Sequence, residues 1–171
     1  MISLHALAEV LAPWQAAFSH SKVISIGVTA THLVALLFGG GFAVAADRAT
    51  LRAVRAGEDV HRRRALDELD AVHRPVLIAL AVSFVSGILL LTADIETFAV
   101  SPVYWLKMSL VLLLLLNGYV LRATERSARL RYAGSTSPEP MQWVRLRATA
   151  WLSIVLWASV VVVGTTLVST S

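Results

Sequence analysis

The chain has 171 residues, 57% of them hydrophobic, with a formal net charge of +4 and a mean hydropathy of +0.70. A soluble domain of this size is nearer half apolar and interrupts its apolar stretches more often. Cysteine is absent, which excludes disulfides, thiolate metal sites and iron–sulfur clusters, and only Met1, Met108 and Met141 supply thioether sulfur.

Taken in chain order, Leu4, Leu7, Leu11, Trp14 and Phe18 recur at three- and four-residue spacing. This pattern predicts an amphipathic segment over 2–19. It lies in the outer membrane interface with Trp14 at headgroup level, or it packs on a neighbouring subunit. Pro13 is expected to kink or divide it. His5 and Glu9, four residues apart, suit either a metal or a plain polar face. No cleavable leader is read at the start, because no basic stretch precedes an apolar core.

Four apolar runs follow, at 23–46, 75–93, 103–121 and 148–168. Each is close to the ~20 residues that a helix needs to cross ~30 Å of hydrocarbon. None alternates as a barrel strand would. The expected fold is therefore all-α, a single membrane domain built as a four-helix bundle with an N-terminal interfacial helix. After the first span the helix is expected to continue and to stop at Gly57. Asp67, Glu68 and Asp70 are expected in the first turns of the next helix, where acidic groups complement its dipole. Gly134 to Pro140 reads as a flexible break.

Arginine sets the direction. All thirteen arginines fall in 47–74 and 122–147, whereas the connection from Asp94 to Pro102 carries Asp94 and Glu96 and no basic residue. Charges grouped between hydrophobic spans argue against nucleic acid as a partner and for the lipid bilayer. The positive-inside rule makes the two arginine-rich segments cytoplasmic loops of a bacterial inner-membrane protein, with both termini on the periplasmic or extracellular face. Tyr104, Trp105, Trp143 and Trp151 stand near span ends, as interfacial aromatics do. Arg62-Arg63-Arg64 either fixes this topology or also binds anionic headgroups.

Two ionisable side chains fall within the spans, and such groups are costly enough to be functional candidates. At 1.5 Å per residue, His32 stands ~14 Å below the outer face and the Lys107 backbone ~7 Å below it. The lysine side chain reaches towards the histidine or snorkels outward. Ser25, His32 and Gly39, with Thr29 beside them, form one stripe. Lys107, Val111, Leu114 and Gly118 form a second, and Ser83, Ser86 and Gly87 a third. Small and hydroxylated faces let helices approach closely, so these three should face one another. Gly39-Gly40-Gly41 is explained by close packing and Asn117 by interhelical hydrogen bonding.

A buried neutral imidazole such as that of His32 is a good ligand for haem iron or copper, or is a histidine simply hydrogen-bonded to a neighbouring hydroxyl. His73 is ~20 Å from the depth of His32, and His20 is ~18 Å along the same helix. No bis-histidine pair therefore exists at one depth. A second ligand would be lysine, water or a group from a partner. No nucleophilic triad, phosphate-cradling loop or zinc motif is present.

The stretch Thr31-His-Leu-Val-Ala-Leu-Leu-Phe-Gly-Gly-Gly41, with Asp47-Arg48 after it, resembles the first helix of the CopD-type and HemJ-type superfamily of small bacterial membrane proteins. Phe84-Val-Ser-Gly-Ile-Leu-Leu-Leu91, Ser101-Pro-Val-Tyr-Trp-Leu-Lys-Met108 and Asn117 resemble its middle helices. The likeness covers about residues 25 to 122. It implies haem b held by a first-helix histidine and a later lysine, which match His32 and Lys107, or a role in copper movement. Three functions follow as expectations. The first is a haem b-binding redox protein with His32 as axial ligand. The second is a copper transport or resistance protein using His32 with Met108, Asp94 and Glu96. The third is a cofactor-free accessory subunit of a larger membrane complex. Homo-oligomer formation is a further expectation.

Overall fold

The computed structural model describes residues 4–134 and 140–170, with side chains over 9–134 and 140–166. It is all-helical: α1 (Leu4–His20), α2 (Lys22–Ala56), α3 (Asp59–Ala93), α4 (Ile95–Val100), α5 (Pro102–Ala133) and α6 (Pro140–Thr170). Four of these, α2, α3, α5 and α6, are long and apolar enough to cross a membrane. Length and composition thus mark a membrane-spanning chain.

The long helices overshoot the hydrocarbon. At 35, 35, 32 and 31 residues they measure ~47–53 Å, against ~30 Å of apolar core. Residues 47–74 and 122–147, expected as loops, are correspondingly helical apart from Gly57, Glu58 and the turn at Gly134, with 135–139 outside the described residues. The reason is local. These segments lose apolarity but keep alanine, leucine and arginine, all good helix formers. Charge pairs such as Arg64–Glu68 at i,i+4 add support. The expected break from Gly134 to Pro140 lies mostly outside the described residues.

Helix ends follow their sequence signals more closely. Gly57 ends α2 at φ 77°, and its N–H reaches Ala53 O. A left-handed position of this kind favours glycine. Ser21 and Ser101 cap α2 and α5 by accepting from Ile24 N and Tyr104 N. One expectation is corrected: α3 starts at Asp59, its only first-turn acid. Asp67, Glu68 and Asp70 therefore sit two to three turns inside. Neither Pro13 in α1 nor Pro75 in α3 divides its helix.

Helix α2 lies along α3, α5 lies along α6, and the two hairpins meet chiefly through α2 and α6. At the arginine-rich end all four long helices share a core of Ala46, Leu66, Leu69, Ala128, Tyr132, Trp143 and Leu146. Further along, Leu114, Leu156 and Trp157 form a second cluster. The glycine run is used for close approach: a Cβ on Gly40 would stand 2.9 Å from the Trp157 ring, and one on Gly39 3.1 Å from Ala79 Cβ. Many large apolar side chains, among them Leu37, Phe84, Leu112 and Val155, remain exposed along the spans, as lipid-facing residues do.

The first helix crosses the end of α3 remote from the arginines. Its stripe residues Leu11, Trp14 and Phe18 are half-buried. The Trp14 indole donates to Leu89 O at 3.2 Å, and Gln15 donates to Thr92 O at 3.4 Å. Within the chain it also touches α2 and α4.

Candidate functional site

The α2 stripe places His32 between helices, 8% exposed. Its Nδ1 is 2.9 Å from Ser83 O and 3.1 Å from Ser86 Oγ. A carbonyl only accepts, so Nδ1 carries the proton. The Ser86 hydroxyl donates its own hydrogen to Val82 O at 2.7 Å, which leaves its lone pairs for the imidazole. Gly87 completes the cradle, because a Cβ there would stand 3.3 Å from His32 Cε1. The three small residues of α3 therefore fix the ring, its tautomer and its orientation.

That tautomer leaves the Nε2 lone pair free. Nε2 is buried and has no hydrogen-bond partner among the described residues. A buried acceptor left unsatisfied costs on the order of 1–3 kcal/mol. A ring held by Nδ1–H on a carbonyl, with Nε2 bare, is the arrangement found in metal-bound histidines.

Lys107, two turns into α5, is half-buried and turned inward. A Cβ on Gly164 of α6 would stand 3.8 Å from its Nζ. It lies within electrostatic range of His32 and forms no ion pair among the described residues. The two residues singled out by cost alone are therefore in one region. Of the further candidates, Met108 is half-buried beside Lys107. Asp94 is exposed and caps α4, accepting from Thr97 N at 3.3 Å. Glu96 is exposed in the first turn of α4. Among the described residues no group of three or more His, Asp or Glu side chains could hold a metal ion.

His20 is exposed at the end of α1. His73 pairs with Arg122 at the arginine-rich end. Both are remote from His32, in line with their sequence depths. The His5 side chain lies outside the described residues. Asn117 donates to Thr149 O at 3.0 Å, joining α5 to α6 as expected.

Two buried acids escaped the sequence reading. Asp47 is 1% exposed, and neither carboxylate oxygen has a hydrogen-bond partner, although Ser153 faces it from α6. Glu125 is 5% exposed and has Arg129 Nη1 at 3.8 Å. A signal for Asp47 was present: the interior stripe steps by sevens from His32 to Gly39, and Asp47 lies seven residues beyond Gly40. A scan that ends the span at its first charge assigns that residue to the loop.

One bare imidazole nitrogen fits a cofactor that already brings its own equatorial ligands. It fits a bare cation less well, since that needs several protein donors. The side that α3 and α5 present to each other is also distinctive. Their polar contacts at Asp59–Tyr132, Leu66–Arg129 and His73–Arg122 lie at the arginine-rich end, and further along Leu80 of α3 packs into the cluster of Leu110 and Leu114 of α5. Compared with protein-family models, with curated proteins and with solved structures, the chain matches none.

Proposed function

We propose that the protein is a haem b-binding redox protein of the bacterial inner membrane, with His32 Nε2 as axial ligand. The observation that carries this reading is the bare, buried Nε2 on a ring whose other nitrogen is tied to Ser83 O and Ser86 Oγ. Lys107 serves as second ligand or as the cation that offsets a propionate. Haem would supply one-electron chemistry, and the protein would supply the axial ligand, the apolar surroundings and the nearby charge. The four long helices form a transmembrane bundle with the arginine-rich end in the cytoplasm. Helix α1 rides in the outer interface, with Trp14 anchored on α3. The quoted likeness to the CopD-type and HemJ-type superfamily supports the same assignment. Copper as cargo is less well served, because Met108, Asp94 and Glu96 do not gather around His32.

The test is an absorption spectrum of detergent-purified protein from haem-replete cells, oxidised and then reduced, beside Ser86→Ala. A Soret band with sharp reduced α and β bands is expected, with weaker haem retention in the variant. A colourless, folded protein would contradict the haem assignment and leave the accessory-subunit reading.

A further inference from the structure

At the arginine-rich end, a groove of about 270 Å³ runs between the end of α2, the first turns of α3 and the start of α6. It is lined by Val54, Arg62, Pro140, Trp143, Val144 and Arg147. Among the described residues no carboxylate lines it. Arg147 is exposed and makes no ion pair among the described residues. Arg62 has only a distant acid, Asp59, at 3.9 Å. Its guanidinium carbon instead lies 4.9 Å over the Trp143 ring.

The groove walls also hold two unsatisfied donors. Among the described residues neither Arg62 Nε nor Trp143 Nε1, both buried, has a hydrogen-bond partner, and Trp143 is only 4% exposed. Orphaned N–H groups beside two guanidinium groups are a costly arrangement unless an acceptor completes them. Arginine side chains rotate readily about their terminal torsions. Arg62 already lines the groove from its place on the Trp143 face. Together with Arg147 it then offers the forked donors that suit a phosphate oxyanion.

Depth indicates the source. Arg147 stands one residue, ~2 Å, and Trp143 five residues, ~8 Å, before the span beginning at 148, whereas Val54 lies ~12 Å past the span ending at 46, so the groove opens at the membrane surface on its Arg147 side. The headgroup layer occupies roughly the first 5–8 Å beyond the hydrocarbon on each side. Val54, Val144 and Pro140 give the groove an apolar wall next to its charges.

The geometry points to a phosphate-binding groove formed by Arg62 and Arg147 beside the Trp143 ring, whose Arg147 side lies within the headgroup layer, where the phosphate of an anionic phospholipid enters. This inference is independent of the haem assignment.

The experiment follows thermal unfolding of the full-length protein in a neutral detergent. The probes are phosphatidic acid in mixed micelles and, separately, inorganic phosphate. Phosphatidic acid should raise the midpoint saturably. Arg62→Gln/Arg147→Gln should raise its half-saturating concentration at least tenfold more than Arg52→Gln/Arg126→Gln, a control pair with equal loss of net charge on exposed arginines outside the groove. Should the Arg62 variant fail to fold, Arg147→Gln alone against Arg52→Gln carries the test, with ~5-fold weakening expected. Arginine-dependent saturation by phosphatidic acid alone identifies a headgroup site. The same dependence with inorganic phosphate identifies a site for free phosphate. Equal shifts in groove and control variants, or no saturable shift with either probe, would overturn the inference.

Discussion

At the residue scale, the account depends on how firmly one ring is held. The Ser83 carbonyl and the Ser86 hydroxyl select the His32 tautomer, and Gly87 leaves room for the ring. A methyl at Gly87 would meet Cε1 at 3.3 Å, tighter than ordinary contact, and would push the imidazole off its axis. Gly87→Ala should weaken haem binding by about 10-fold or more while leaving the helical content unchanged. Titration of haem into the apo-protein, followed at the Soret band, measures this. Unaltered affinity would mean that the ring is not gripped from α3. His32 was legible in the sequence because an ionisable group inside an apolar run stands out by cost. Its hydrogen-bond partners were legible only as a face of small residues, since spacing alone cannot show which carbonyl a ring nitrogen meets.

At the scale of elements, the long helices are held together by different chemistry along their length. Toward the middle, helix contact relies on small residues, with Gly39 and Gly40 against Ala79 and Trp157. Beyond the apolar runs, it relies on a mixed core crossed by charge. Arg129 Nη1 reaches Asp67 at 3.5 Å, Asp70 at 3.4 Å and Glu125 at 3.8 Å, and donates to Leu66 O at 3.2 Å. This arginine ties α5 to α3 and offsets a carboxylate that has little water. Arg129→Gln should therefore destabilise the protein by about 1–3 kcal/mol, below the full cost of breaking a buried pair because Asp67 and Asp70 are largely solvated. Denaturant unfolding of the variant in detergent checks the value, and Glu125→Gln in the same background should recover much of the loss. The apolar runs located four helices well but misjudged where they end. Hydropathy reports contact with lipid, whereas helix continuation past the membrane depends on alanine, leucine and arginine propensity and on shared packing. Asp47 and Glu125 were missed for the same reason. Each is a charge on an interior stripe that continues after the apolar run has stopped.

At the scale of the whole molecule, two hairpins joined through α2 and α6 carry all their arginines toward one end, with α1 and α4 toward the other. The proposed orientation makes a direct labelling prediction, helped by the natural absence of cysteine. In intact cells, Thr97→Cys should react with a membrane-impermeant maleimide, and Arg55→Cys should react only after the membrane is opened. The reverse pattern would invert the topology and put His32 in the inner half of the bilayer. If His32 supplies the axial ligand, chemical rescue should reveal it. His32→Gly should bind haem poorly when titrated with it, and added imidazole should restore the parent Soret and reduced α bands by occupying the vacated space. Haem binding with the parent spectrum in His32→Gly, without imidazole, would show that the iron is held elsewhere and would contradict the account.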